Sequence, residues 1–236
     1  MRTAARLGTV LILFFQVSLS ARELTSTDGR KINAEIIAIR EGSVVIKRGI
    51  KQFTLPVNKF SAADQEYFKE WQADQQKNKI PKLEIDVATG KSDRNDKRDG
   101  FDDRKGSFEF TIKISNNEIG YSLENATASL AVLGQDCEDT KKYCVMQKSS
   151  FNVNAAEGKT FEWKGKPFHY VFDNRPPAYW GVEYYGYVLQ IKNASGKVIY
   201  QKSMPNRFEE HVAKILGMSP EAAFDGKLNS RGTSYI

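Results

Sequence analysis

The chain has 236 residues, 40% of them hydrophobic, 11% aromatic and 27% charged, with 35 Lys and Arg against 29 Asp and Glu. These proportions belong to a globular protein of one or two domains and exclude a disordered chain, a collagen-like repeat and a coiled coil. The net charge of +6 is spread along the chain without the clustered basic stripe of nucleic-acid binders, so no nucleic-acid partner is expected.

Residues 1–21 have the layout of a secretory signal peptide. Arg2 and Arg6 form the basic start, Leu7 to Leu19 the apolar run, and Ser18, Ser20 and Ala21 the small residues before cleavage. That run is thirteen residues, short of the roughly 20 that cross a bilayer. No later segment is continuously apolar enough to span, so the expectation is a secreted or periplasmic protein with no transmembrane segment after cleavage. Loss of Arg2 and Arg6 leaves 33 basic and 29 acidic residues, a net charge of +4.

From Arg22 to Phe60, short apolar runs alternate with turn signals. Thr27-Asp28-Gly29, Glu41-Gly42 and Arg48-Gly49 read as turns; Ala34 to Ile39, Val44 to Lys47 and Gln52 to Val57 read as strands. Strands this short and close predict a small twisted barrel. Ser61 with Asp64 three residues later is a capping-box-like helix start, and Tyr67, Phe68 and Trp71 give that helix an apolar stripe read as core. The polar run from Gln72 to Pro81 is the expected domain boundary, giving a barrel with its helix over 22–72 and a linker over 73–82.

The charge run from Ser92 to Gly106 offers the side-chain oxygens of Asp93, Asn95, Asp96, Asp99, Asp102 and Asp103. Counted from Asp93, the fifth and sixth positions of a calcium loop are Lys97 and Arg98, so the run is read as a solvated loop and no metal is assigned. Phe108, Phe110, Ile112 and Ile114 then alternate with polar residues, the period of a half-buried strand. Further strands are expected at 128–133, 143–147, 160–163, 168–172, 182–191 and 197–202, together predicting an immunoglobulin-like antiparallel β-sandwich over 83–204. Phe208, Val212, Ile215 and Leu216 fall at helical spacing, so a terminal helix is expected over 206–216. It belongs to a C-terminal segment, 205–236, whose residues from Lys227 read as frayed. The fold class is therefore mainly β.

Cys137 and Cys144, closely spaced in an exported chain, predict a disulfide closing a small loop between strands. His169 and His211 fall on different elements, and no nucleophile elbow, phosphate loop or zinc motif occurs. No catalytic residue or cofactor is assigned, and the chain is read as a non-enzyme. Residues 175–187 are the most aromatic stretch. Tyr185, Tyr187, Leu189 and Ile191 are read as one buried face, while Tyr179 and Trp180, in a loop before that strand, are the exposed candidates for ligand contact. Asn125-Ala-Thr and Asn193-Ala-Ser fit the glycosylation sequon.

The block Arg22 to Trp71 resembles the Sla homology domain, the SH3-like barrel of the fungal endocytic adaptor Sla, which also occurs in exported bacterial proteins. Thr27-Asp28-Gly29-Arg30, Ala34-Glu35, Gly42-x-Val44-x-Ile46-Lys47-Arg48, Phe53-x-Leu55-Pro56-Val57 and Lys59-Phe60-Ser61-x-x-Asp64 carry the resemblance. It implies an SH3-like fold for the barrel and peptide binding, with Lys47, Arg48 and Lys51 at the positions that take a peptide's acidic end. The stretch Tyr187 to Tyr200 leading into Ser203-Met-Pro-Asn-Arg looks like the β-sandwich that follows this domain in such bacterial proteins. The leading expectation is a protein-binding or scaffolding protein of the bacterial cell envelope with a protein or peptide partner. The alternatives are a carbohydrate-binding β-sandwich whose ligand is a cell-wall glycan, met by Tyr179 and Trp180, and a hydrolase with an unrecognised site.

Overall fold

The computed structural model describes residues 21–95 and 104–234. The expected signal peptide, the middle of the charge run and the last two residues lie outside them. The chain is mainly β, with two antiparallel sheets, and divides into two compact units between Phe68 and Lys69.

The first unit is a meander of four strands, β1 (Arg22–Thr25), β2 (Lys31–Arg40), β3 (Ser43–Arg48) and β4 (Lys51–Pro56), hydrogen-bonded in that order. Alternation places Ala34, Ile36, Val44 and Ile46 inside with Leu24, Phe60 and Phe68, and the last two rings meet edge to face at 5.1 Å. Helix α1 (Ala62–Asn78) starts at the expected cap. The Asp64 N–H donates to Ser61 Oγ at 3.2 Å, while the buried Asp64 carboxylate accepts from Ser61 Oγ and from the Thr25 N–H, each at 2.8 Å. A side chain that closes a helix end and a strand end together fixes how α1 leaves the sheet. Of the expected aromatic stripe only Phe68 is fully buried; Tyr67 is half-buried under the Arg22 guanidinium, 3.7 Å from its ring centre.

The expected linker is a correction. Residues 72–78 are the last turns of α1. Ala, Gln and Lys are good helix formers, and the terminal carbonyls have partners from far along the chain. Asn193 Nδ2 donates to the carbonyls of Gln76 at 3.1 Å and Lys77 at 3.0 Å, Ser195 Oγ to Lys77 at 3.2 Å, and Lys197 Nζ to Asn78 at 2.5 Å. Asn193 is only 4% exposed, so its sequon is closed to a glycan.

The second unit is one ten-stranded sheet. Its main path runs β14 (Ser230–Thr233), β13 (Ala222–Asp225), β8 (Lys142–Ala155), β7 (Leu123–Asp136), β11 (Ala178–Lys192), β10 (Phe168–Arg175), β6 (Arg104–Asn116), β5 (Leu83–Asn95). β12 (Val198–Met204) pairs beside β11 and β9 (Thr160–Lys164) beside β6. The ends of the charge run are strand, not loop: Asp93 pairs with Gly106, Arg94 with Lys105 and Asn95 with Arg104. The inward residues of β6 (Phe108, Phe110, Ile112, Ile114) meet those of β7 (Ala126, Ala128, Leu130, Val132) and β11 (Tyr187, Leu189, Ile191) in the main core.

The opposite face of β7, β8 and β11 is buried too. Ala131, Leu133, Val145 and Val188 form a second core with Phe208, Val212 and Ile215 from a 3-10 turn (Asn206–His211) and the short α2 (Val212–Leu216). The expected helix is thus present, its first turns wound more tightly. Phe224 of β13 and Leu228 complete this core, so the tail from Lys227, expected to fray, is paired as β14 and anchored by a buried side chain.

A bulge in β11 between Tyr184 and Gly186 reconciles the two cores. The extra residue lets Tyr184 and Tyr187 face the main core while Tyr185 faces the second, which corrects the expectation that Tyr185 shares a face with Tyr187. Gly186 lies so close to the Met204 carbonyl of β12 that a Cβ there would collide with backbone, whereas a Cβ at Gly90 in β5 would meet only the Glu109 carbonyl oxygen at 3.8 Å. Gly186→Ala is expected to lower stability by about 1–3 kcal/mol or more, and Gly90→Ala to stay within about 1 kcal/mol. Urea unfolding of the two variants checks this; equal midpoints would show that the β11–β12 approach is slack.

Candidate functional site

The surface that stands out in the first unit is the β3–β4 hairpin. Its register pairs Lys47 with Gln52 and Arg48 with Lys51, leaving Gly49 and Ile50 as a two-residue loop. A loop that follows the strand twist needs a positive φ at its first central residue, and Gly49 supplies 60°. Ile50, at the second, is 97% exposed. Because side chains alternate, Arg48 lies on the face of buried Val44 and Ile46, and Lys47 on the other.

The expected cluster of three cations therefore splits. Arg48 and Lys51 stand directly opposite one another, and Phe53, opposite Ile46 and 42% exposed, lies next to Lys51 on the same face. Lys47 faces away and stands opposite Glu35. Directly opposed side chains have Cβ atoms about 5 Å apart, where like charges repel. Neither Arg48 nor Lys51 has an ion pair among the described residues. β4 is also an outer strand in its sheet's order. The arrangement is suited to an anionic group next to an apolar side chain, carried on an extended segment. Phe53 escaped the sequence reading because an apolar residue in a strand-like run reads as core, and Ile50 because it falls between the predicted turn and strand.

Tyr179 and Trp180 are exposed, at 44% and 40%. They lie in β11, not in a loop: Tyr179 pairs with Asn174 of β10 and Trp180 with Asp173. Consecutive strand residues point to opposite faces, so the two rings cannot form one stacking platform, and the glycan reading loses the geometry that motivated it.

Cys137 and Cys144 are free thiols, not the expected disulfide. The hairpin register explains this. Cys144 pairs with Gly134, and Cys137 lies three residues further on, just past the end of β7, an offset of about 10 Å along an extended strand. Burial pushes both thiols up to about 12, helped by the carboxylates of Glu183 and Asp136 near Cys137 and of Asp136 near Cys144. His169 is exposed on β10 and His211 half-buried before α2. Neither has a carboxylate partner, and no group of three or more His, Cys, Asp or Glu could hold a metal, among the described residues. No helix among them is long and apolar enough to cross a membrane.

No family model matches the chain, and no curated protein does. Among solved structures it is similar to a protein from Akkermansia muciniphila at 11% identity, covering 55% of this chain and 75% of that one with a TM-score of 0.27. It is also similar to the Northeast Structural Genomics Consortium target SoR45 at 12% identity, covering 51% and 80%, with a TM-score of 0.26. Likeness at this level carries no inference about family or function.

Thiolates are the reactive form of cysteine, and thiols raised to about 12 are ionised at pH 8 on the order of one part in ten thousand. The native chain is therefore expected to react slowly with a thiol reagent at pH 8, and to release two thiols once unfolded without reductant. Finding none after unfolding would restore the disulfide.

Proposed function

We propose that the chain is a non-catalytic binding protein of the bacterial cell envelope, exported by its signal peptide. In this reading the first unit is an SH3-like barrel of the Sla homology type that takes an acidic, extended segment of a protein partner. The second unit is then an immunoglobulin-like β-sandwich that supports it. One observation carries the reading: Arg48 and Lys51 face each other across the β3–β4 register with no counter-ion among the described residues, beside exposed Ile50 and Phe53. An incoming carboxylate would relieve that repulsion through charge-assisted hydrogen bonds, and Phe53 would bury apolar surface of the same segment.

In this reading the site consists of Arg48, Lys51 and Phe53, without Lys47. Arg48, Lys51 and Phe53 share a face; Lys47 does not. The test is binding of an array of acidic, aromatic-containing peptides to the full chain, with hits quantified by fluorescence anisotropy. Arg48→Glu with Lys51→Glu is expected to weaken binding at least about tenfold, or 1.4 kcal/mol. Lys47→Glu should leave it within about twofold, since its charge lies on the opposite face. Equal losses at Lys47 and at the Arg48–Lys51 pair, or no acidic peptide bound at all, would overturn the assignment.

A further inference from the structure

One end of the large sheet carries two exposed isoleucines on adjoining segments. The β5–β6 register, which sets Leu83 against Asn116, continues one step past the strands, where the Asn117 N–H donates to the Lys82 carbonyl at 2.9 Å. Two more steps of that register place Ile80, just before β5, across from Ile119, in the turn after β6. Glu118 ties the two segments together: its carboxylate accepts from the Lys79 ammonium at 2.7 Å and from the Lys82 N–H at 3.1 Å. Each isoleucine is 61% exposed, although Pro81, next to Ile80, is buried and so is Tyr121, two residues after Ile119. The chain is thus anchored beside each of them while the side chain is left in water. Single exposed apolar residues are ordinary on a protein surface, but two held on one tip make a patch.

We infer that this end of the sheet docks on an anionic lipid surface, with Ile80 and Ile119 entering the headgroup layer. Charge complementarity selects the occupant. Lys82 and Lys159 are exposed, and neither has a carboxylate partner among the described residues. They flank the end of β6: Lys82 lies against Asn117, and the Lys159 carbonyl accepts from the Asn116 N–H at 3.0 Å. Of the neighbouring carboxylates, Glu118 is paired with Lys79, Glu84 accepts from Asn117 Nδ2 at 3.3 Å, and Glu157 has an interaction of its own within the chain. A lysine ammonium can stay at the level of lipid phosphates while its methylenes lie along the apolar layer. Buried apolar area and lysines near the surface then add in membrane binding. A second copy seated on the same patch would instead bring lysines against lysines, which like charge opposes.

The test follows hydrogen exchange of the full chain by mass spectrometry, with vesicles of equal parts phosphatidylglycerol and phosphatidylcholine and with phosphatidylcholine vesicles as control. Exchange over residues 79–82 and 117–120 is expected to slow on the anionic vesicles alone, and added salt should reverse it. Any contribution of the apolar run Leu7 to Leu19 is common to all variants and lies outside these two segments. Ile80→Ser with Ile119→Ser, and separately Lys82→Glu with Lys159→Glu, should each weaken the vesicle binding read at these segments by about tenfold or more. All four side chains are exposed, and an unchanged circular dichroism spectrum confirms that each variant folds. Equal slowing on both vesicles, no slowing at the two segments, or slowing that survives either double substitution overturns the inference. So does dimerisation in lipid-free solution that the isoleucine substitutions abolish, which would give the patch to a second copy.

Discussion

The second unit depends on one strand doing several jobs. β11 pairs with β10 at its start, with β7 along most of its length and with β12 at its end. It also has to present apolar side chains to two cores on opposite faces. Strict alternation could serve both cores, but Val182 and Tyr184 ahead of the bulge and Tyr187, Leu189 and Ile191 beyond it would then point to opposite sides. The extra residue resets the parity. The same point brings β11 and β12 together so tightly that only glycine fits at Gly186, and Gly134 in β7 does likewise against Val182 and Met146. Neither glycine serves a turn; both are in strands because a side chain would occupy the space of a neighbouring strand or its packing.

This two-sided burial explains which parts of the fold could be read from sequence. β6 was plain because one face of it is buried and the other wet, so Phe108 to Ile114 alternates cleanly. β7 is buried on both faces through Ala131, Val132 and Leu133, and its reach to Leu123 and Asp136 is set by pairing, not by alternation. The end of α1 was hidden for a different reason. Its last turns carry no apolar stripe, and their carbonyls are closed by Asn193, Ser195 and Lys197, more than a hundred residues away. Local pattern cannot show such a cap. The tail was misread in the same way: Leu228 is one apolar residue in a polar stretch, yet it completes the core that Phe208, Val212 and Ile215 begin.

The hairpin site was half legible. Basic residues around a two-residue turn are visible in sequence, but strand parity decides which of them cooperate. Arg48 and Lys51 are cross-strand partners, while Lys47, adjacent to Arg48, is on the other face. The apolar half was invisible because Phe53 continues a strand-like pattern past the point where the core ends, while Ile50 lies in the loop outside either predicted strand. The cysteines taught the converse lesson. Their spacing suited a loop-closing bridge, yet register sets Cys144 against Gly134, and sequence distance alone does not measure the space between strands.

Several buried polar side chains serve the fold itself. Asp64 holds the Thr25 N–H and the start of α1. Asn116 donates to the carbonyls of Tyr121 and Ala155 at 2.7 and 3.0 Å, and Asn193 closes the end of α1. Ser203 donates to the Pro205 carbonyl where the chain leaves β12 for the second core. Each of these groups is turned toward backbone that the fold itself leaves open, as buried polar groups must be if they are not to cost stability. On the outside of the first unit, by contrast, Arg48 and Lys51 stand as cross-strand partners on β3 and β4. Donors of that kind, set on rigid strands, are matched by ligands that bring acceptors and negative charge.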